Sequence, residues 1–159
     1  MRVTIGFDPG KDGGYAMIGE GIPTVLGALP YIQTELDTGL LFHTMRHLLT
    51  KDIDVLVVIE KVHAMPKQGS VSMFTFGSGF GELKALAKIL AAPWALVPPQ
   101  TWKKHVLAGT DKSKGATIEW AHRTYPDLVS GFTKKSGLAH LGKVDALAIA
   151  HYGHHFHPR

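Results

Sequence analysis

The stretch Val3-Thr4-Ile5-Gly6-Phe7-Asp8-Pro9-Gly10 lies near the start of the chain and decides its fold. Its first residues form an apolar run of the length of a short strand, and a Pro-Gly turn follows the acid directly. A carboxylate at the end of a buried run is costly to remove from water unless a positive group meets it. Asp8 is therefore a candidate functional residue at the end of a buried strand.

Two later stretches repeat this arrangement of an acid beside an apolar run. The run Val55–Ile59 ends in Glu60, and Asp145 lies in the apolar stretch Val144–Ala150. Three such carboxylates point to a shared divalent cation that offsets their charge. The chain has no cysteine, so the expected ligands are oxygen or imidazole donors and the expected ion is hard, Mg²⁺ with Mn²⁺ as a substitute.

Length and composition predict one domain, residues 1–159, because 159 residues with 45% hydrophobic content provide one full core. The absence of cysteine favours a reducing cytoplasm, and we expect neither a signal peptide nor a membrane segment. Residues 1–98 contain 8 Lys and Arg against 9 Asp and Glu, whereas residues 99–159 contain 9 against 4. This basic C-terminal part suits a polyanionic partner, although solvated surface lysines give the same count.

The periodicity of the chain predicts an α/β fold. Short strands at residues 2–7, 15–18 and 23–28 form an antiparallel meander. The strand Val55–Ile59 is apolar on both faces, as in a central strand, and a further strand follows at Trp94–Val97. Helices are predicted at residues 37–49, 74–90, 100–107, 113–125 and 142–152. The first and fourth strands can then lie side by side, with Asp8 and Glu60 at the same end of the sheet.

Five motifs in this order resemble those of RuvC-type Holliday junction resolvases, most closely the compact phage-type members. They cover nearly the whole chain and read Ile5-Gly6-Phe7-Asp8-Pro9-Gly10 with Gly14-Tyr15, Val58-Ile59-Glu60-Lys61-Val62, Phe76-Gly77-Ser78-Gly79-Phe80-Gly81, Pro99-Gln100-Thr101-Trp102-Lys103-Lys104 and Val144-Asp145-Ala146-Leu147-Ala148-Ile149-Ala150. The resemblance implies a ribonuclease H-like fold, with three antiparallel strands then two parallel strands in a mixed five-stranded sheet and helices on both faces.

The same resemblance implies an activity and a setting. It implies a homodimer that binds four-way and other branched DNA and resolves junctions by paired, metal-dependent phosphodiester hydrolysis. Such an enzyme acts in recombination, repair or phage DNA processing, in the cytoplasm of a bacterial or phage-infected bacterial cell. No membrane partner and no nucleotide cofactor are expected.

By matching motifs, the resemblance makes the three acids ligands of a two-metal site. The family usually places a fourth ligand or base about one helical turn before the last acid, but that place holds Leu141 and Gly142 here. His140 is the nearest candidate, as a general base or water orienter, with an exposed or structural histidine as the alternative. Asp12 is a further option, although an Asp in a Gly-rich turn commonly bonds its own backbone.

The loop after Glu60 should overhang the metal site, and the resemblance implies an apolar wedge there that unstacks bases. Met65 and Phe74 are the candidates for the wedge, although Phe74 at a helix start is as readily a core residue. The other candidates for DNA contact are basic or aromatic: Lys61, Lys67, Trp102, Lys103, Lys104, Lys112, Lys114, Lys134 and Lys135. Lysines at helix edges are also commonly just solvated.

Gly77, Gly79 and Gly81 fall within a predicted helix, where each lowers the helix propensity by about 1 kcal/mol relative to Ala. We expect that a partner helix or a DNA strand approaches the backbone closely at these positions. A local break in the helix is the alternative.

Two other functions fit parts of the pattern. A catalytically inactive junction-binding module would use the same surface; the missing fourth ligand favours it, whereas the presence of all three acids disfavours it. An ATP-binding domain of the actin and sugar-kinase type also opens with an Asp-Gly turn on a ribonuclease H-like sheet. That class encloses its nucleotide between two such domains, and 159 residues provide one.

Overall fold

A computed structural model describes residues 1–48, 50–62, 69–111, 113 and 115–158. The strands are β1 (Arg2–Asp8), β2 (Gly14–Gly19), β3 (Val25–Ala28), β4 (Tyr31–Ile32), β5 (Glu35–Leu36), β6 (Asp54–Glu60) and β7 (Trp94–Val97). The helices are α1 (Thr38–Met45), α2 (Ser70–Ile89), α3 (Pro99–Val106), α4 (Ala116–Thr124), α5 (Val129–Phe132) and α6 (Leu141–His155). Within those described ranges, no helix has the length and apolar character needed to cross a bilayer.

The main sheet is mixed, with the strand order β3-β2-β1-β6-β7. β2 pairs antiparallel with both β1 and β3, whereas β6 runs parallel to β1 and β7. The predicted fold class and the predicted adjacency of the first and fourth long strands are confirmed. Phe7 lies opposite Ile59 in the parallel pair, so the next residues, Asp8 and Glu60, reach the carboxyl edge of the sheet together.

The alternation of side chains divides the core into two layers. Ile5 of β1 and Val57 of β6 belong to the layer that contains the buried residues of α1 and α2. Val58 belongs to the opposite layer, with the buried residues of α3, α4 and α6. Because successive residues of a strand point to opposite faces, Asp8 and Glu60 share the face of Val58. Both acids therefore point toward the side of the sheet that α6 covers.

The observed elements differ from the predicted ones in three boundaries and in two elements that were not predicted. α2 begins at Ser70 and is continuous through its glycines, so the alternative of a local break in this helix is wrong. α4 begins at Ala116, three residues later than predicted, and α6 extends to His155. The hairpin β4–β5 and the helix α5 were not predicted, because segments of 2 and 4 residues are too short for a periodic signal.

Candidate active site

Three carboxylates lie near one another at the carboxyl edge of the sheet. Asp8 ends β1, Glu60 ends β6, and Asp145 lies in the second turn of α6. α6 packs directly on β1 because Gly6 has no side chain, and a Cβ there would lie 2.6 Å from the carbonyl oxygen of Ala146. This close packing brings the acid on α6 next to the acids of the two central strands.

Burial raises the pKa of all three carboxyls, and repulsion by neighbouring carboxylates adds to this rise for Asp8 and Asp145. The pKa of Asp8 rises to about 8, first through burial and then through the negative charges of Asp145 and Glu60. Burial also raises the pKa of Asp145 to about 6, with a further contribution from Glu60, and it raises the pKa of Glu60 itself. Because Asp145 and Glu60 both act on Asp8, and Glu60 acts on Asp145, the three groups are near neighbours at a place where a cation is favoured.

Helix α3 supplies a positive charge and a hydrogen bond to these acids. The ammonium of Lys103 lowers the pKa of each of the three carboxyls and lies 5.1 Å from the centroid of the Trp102 ring. The indole Nε1 of Trp102 donates a hydrogen bond of 2.9 Å to Oε1 of Glu60. Trp102 is fully buried, so it exposes no ring surface for the DNA contact predicted from the sequence and supports Glu60 instead.

The donor atoms of the site suit a hard divalent cation, because three carboxylates offer oxygen ligands and the chain has no thiolate. As the side chains stand, no three Asp, Glu or His among the described residues form a set that holds one metal ion. A bound ion would therefore have to draw the carboxylates closer together. The chemistry of these ligands fits the expected metal.

At Gly142, one of the two positions expected for a fourth ligand, the backbone leaves no room for a side chain. Gly13 and Gly142 form a parallel bridge between the turn after β1 and the start of α6. A Cβ at Gly142 would overlap the carbonyl oxygen of Asp12 and lie 2.6 Å from Cα of Gly13. No side chain fits at residue 142 while the turn packs against the helix in this way. This packing gives a physical reason for the glycine at residue 142, whereas Leu141, the other expected position, is exposed.

His140 is the N-cap residue of α6. Its Nδ1 accepts a hydrogen bond of 3.3 Å from the backbone N–H of Lys143. Burial lowers the pKa of His140, as do the charges of Lys134 and Lys143, whereas Asp12 raises it. Because Nδ1 is the acceptor, the proton of the neutral ring lies on Nε2. In this arrangement the ring can orient an oxygen atom through Nε2–H, but Nε2 has no free lone pair to take a proton.

The predicted DNA-contact residues that the structure describes lie mainly on exposed surface. Phe74 is 79% exposed on α2, which rules out the core position considered for it. Lys61 directly follows Glu60, and Lys104 is exposed on α3. Lys134 and Lys135 lie in the turn before α6. A hydrogen bond from the Gly137 N–H to the Lys134 carbonyl closes this turn. The predictions for Met65, Lys67, Lys112 and Lys114 lie outside the described residues.

Thr117 of α4 is a site residue that the sequence reasoning missed. It is buried, and its side chain hydrogen-bonds to Asp145, which lowers the pKa of that carboxyl. Thr117, Trp120 and Ala121 are all buried and have helical spacing, so they mark the inner face of α4. A threonine on a buried face needs a hydrogen-bond partner, and this requirement is the signal that could have found it.

No protein-family model and no curated protein sequence matches the chain. Solved structures do match it in fold. One is described as a Thermus thermophilus RuvC structure; it is 18% identical, covers 93% of this chain and 90% of its own, and has a TM-score of 0.58. Another, T. thermophilus RuvC in complex with Holliday junction substrate, is 14% identical at the same coverage with a TM-score of 0.59. The chain therefore has the RuvC-type, ribonuclease H-like fold that its motifs predicted.

Proposed function

We propose that this protein is a metal-dependent endonuclease that resolves four-way DNA junctions. The observation that carries the proposal is the group of partly buried, neighbouring carboxylates Asp8, Glu60 and Asp145 at the carboxyl edge of a RuvC-type sheet. The fold match to a RuvC solved with a Holliday junction substrate supports the class of substrate. The basic C-terminal part of the chain suits a DNA partner.

The residues of the site have different roles at the scissile phosphate. The three carboxylates hold the cations, Mg²⁺ or Mn²⁺. When bound, these ions supply an activated water and neutralise charge on the phosphate. We assign to Lys103, whose charge already lowers the pKa of the carboxyls, a contact with the phosphate of the bound strand. His140 orients a water or phosphate oxygen through Nε2–H, the role that its cap geometry leaves open.

The surface around the site binds the arms of the junction. We assign phosphate contacts to Lys61, Lys67, Lys103, Lys104, Lys112, Lys114, Lys134 and Lys135. We assign the apolar wedge to Met65 or Phe74, since the exposed ring of Phe74 is available to unstack bases. Paired cuts in a two-fold symmetric junction call for a homodimer, and we place α2 at its interface.

Substitution of the three acids tests the proposal. We expect Asp8→Asn, Glu60→Gln and Asp145→Asn each to abolish nicking of a labelled four-way junction in Mg²⁺. Junction binding in a gel-shift assay should remain, because each change removes a metal ligand and leaves the basic surface intact. Asp127→Asn, which changes an exposed acid on a short turn, is the matched control and should cleave normally.

Two results would contradict this assignment. Normal cleavage by any of the three variants would remove that residue from the site. A parent protein that binds the junction but does not cut it, in Mg²⁺ or Mn²⁺, would instead favour the inactive junction-binding module.

A further inference from the structure

Trp102 is joined to the candidate site by one partly buried hydrogen bond. Its indole Nε1 donates to Oε1 of Glu60 at 2.9 Å, and its side chain is fully buried. An indole N–H is only a donor, and a buried one needs a partner. A hydrogen bond to an ionised carboxylate is roughly twice as strong as one between neutral groups. The bond therefore restrains one oxygen of Glu60 and leaves Oε2 for a ligand.

The donor itself is held in place by packing on both sides. Trp102 belongs to the core layer that α3 shares with α4 and α6, one helical turn before the buried Val106. Pro98 and Pro99 start α3 directly after β7, and β7 pairs with β6 where Val97 lies opposite Glu60. The indole is thus positioned by the same sheet edge that positions Glu60. It cannot follow the carboxylate if that side chain turns away.

We propose that Trp102 is a positioning residue that holds the Glu60 carboxylate in the orientation that receives a divalent cation. This inference rests on the proposed function, because it assumes that Glu60 binds metal. Groups that hydrogen-bond to a metal ligand commonly account for about 10–100-fold in metal affinity or activity. The effect of Trp102 is thus expected in the affinity for the ion and in the rate, and not in the affinity for DNA.

Two matched substitutions test this role. Trp102→Phe removes the donor and keeps a buried aromatic ring, whereas Trp120→Phe makes the same change at a buried tryptophan that packs against Tyr125 and His151. Mn²⁺ affinity is measured from the electron paramagnetic resonance signal of the free ion, and thermal unfolding checks that each variant folds. We expect Trp102→Phe to weaken Mn²⁺ binding by about tenfold or more and to lower kcat with an unchanged KM for the junction. Trp120→Phe should bind Mn²⁺ as the parent does.

A folded Trp102→Phe variant that binds Mn²⁺ as tightly as the parent would overturn the inference. So would an equal loss in Trp120→Phe, because the effect would then come from core packing. A parent that binds no Mn²⁺ would instead overturn the proposed function, so the two failures are distinguishable.

A second measurement leaves Trp102 unchanged and so does not depend on the folding of Trp102→Phe. The chain has 3 tryptophans, and Trp94→Phe and Trp120→Phe identify the indole N–H signal of Trp102 by elimination in a nitrogen–proton correlation spectrum. We expect Glu60→Gln to shift this signal, because the loss of charge weakens the hydrogen bond, and Mg²⁺ to shift it in the parent. A signal that neither change moves would overturn the proposed role.

Discussion

Asp8 carries a partly buried charge that the metal-free protein accommodates poorly. Its pKa is raised to about 8 because burial disfavours the ionised form and because Asp145 and Glu60 add negative potential. A group whose pKa is higher in the folded protein contributes stability that is fully present below its unfolded pKa and is lost as the pH rises through the folded value. Without metal, this contribution should therefore fall between about pH 4 and about pH 8.

Asp8→Asn should raise the thermal unfolding temperature of the metal-free protein at about pH 8, because the amide keeps the shape of the side chain without its buried charge. The difference in unfolding temperature should vanish near pH 4, because Asp8 of the folded parent is protonated there. Thermal unfolding in EDTA measures both values, with Asp127→Asn as an exposed control. Mn²⁺ should stabilise the parent and not the variant. Equal unfolding temperatures at the higher pH would contradict the raised pKa.

His140→Asn separates helix capping from any role of the imidazole in cleavage. Asn is a strong N-cap, so this variant should keep the stability of the parent, whereas His140→Ala should lose about 1 kcal/mol in urea denaturation. Since the pKa of His140 is lowered, its capping contribution is present above the unfolded pKa and is lost as the pH falls. If Nε2–H orients an oxygen in the site, both variants should cleave the junction about 10–100-fold more slowly. A normal rate for the Asn variant would limit His140 to capping.

At the scale of elements, the turn after β1 and the start of α6 form one packed unit. Gly142→Ala should destabilise the protein by about 1–3 kcal/mol, because its Cβ would overlap the carbonyl oxygen of Asp12. Gly142→Asp, which places an acid one helical turn before Asp145, should lose as much stability and gain no activity. Urea denaturation measures the loss, with Gly39→Ala in the first turn of α1 as the control, since the nearest described atom to a Cβ there is Oδ1 of Asp37, at an ordinary contact distance of 3.5 Å. A Gly142→Ala variant as stable as the parent would show that the turn gives way.

Strand pairing could be predicted from the sequence, whereas contacts between packed elements could not. Sheet order and the placement of Asp8 and Glu60 could be predicted, because apolar runs and turn residues are local signals that fix strand direction and strand ends. The hydrogen bond from Trp102 to Glu60 and the closure of residue 142 depend on how α3 and α6 pack on the sheet. The aromatic and basic residues of the motif around Trp102 suggested a DNA contact. However, Trp102 and Val106 are both buried and lie four residues apart, which is the spacing of an inner helix face.

At the scale of the whole molecule, α2 has features that the described chain alone does not explain. Val71, Phe74 and Ile89 are exposed apolar residues on this helix. Gly79 has a reason within the chain, because a Cβ there would overlap the hydroxyl of Tyr31. Gly77 and Gly81 have no described atom within 4 Å of their ideal Cβ positions, so each lowers helix propensity by about 1 kcal/mol without a packing gain. Close approach of a second copy of α2 in the proposed homodimer would supply that gain.

Gly77→Ala and Gly81→Ala distinguish these possibilities, because the same methyl group has opposite effects on the subunit and on the dimer. In an isolated subunit each change should stabilise α2 by about 1 kcal/mol. In a dimer packed through α2, the methyl should separate the two helices and raise the dimer dissociation constant by about tenfold or more, which corresponds to about 1.4 kcal/mol. Sedimentation over a dilution series measures the dimer dissociation constant, and Gly115→Ala outside α2 is the control.

Paired nicking should fall in proportion to the dimer content, because two-fold placement of two sites requires two subunits. A dimer that tolerates both substitutions would place its interface elsewhere, and a monomer that completes both cuts would exclude the dimer altogether.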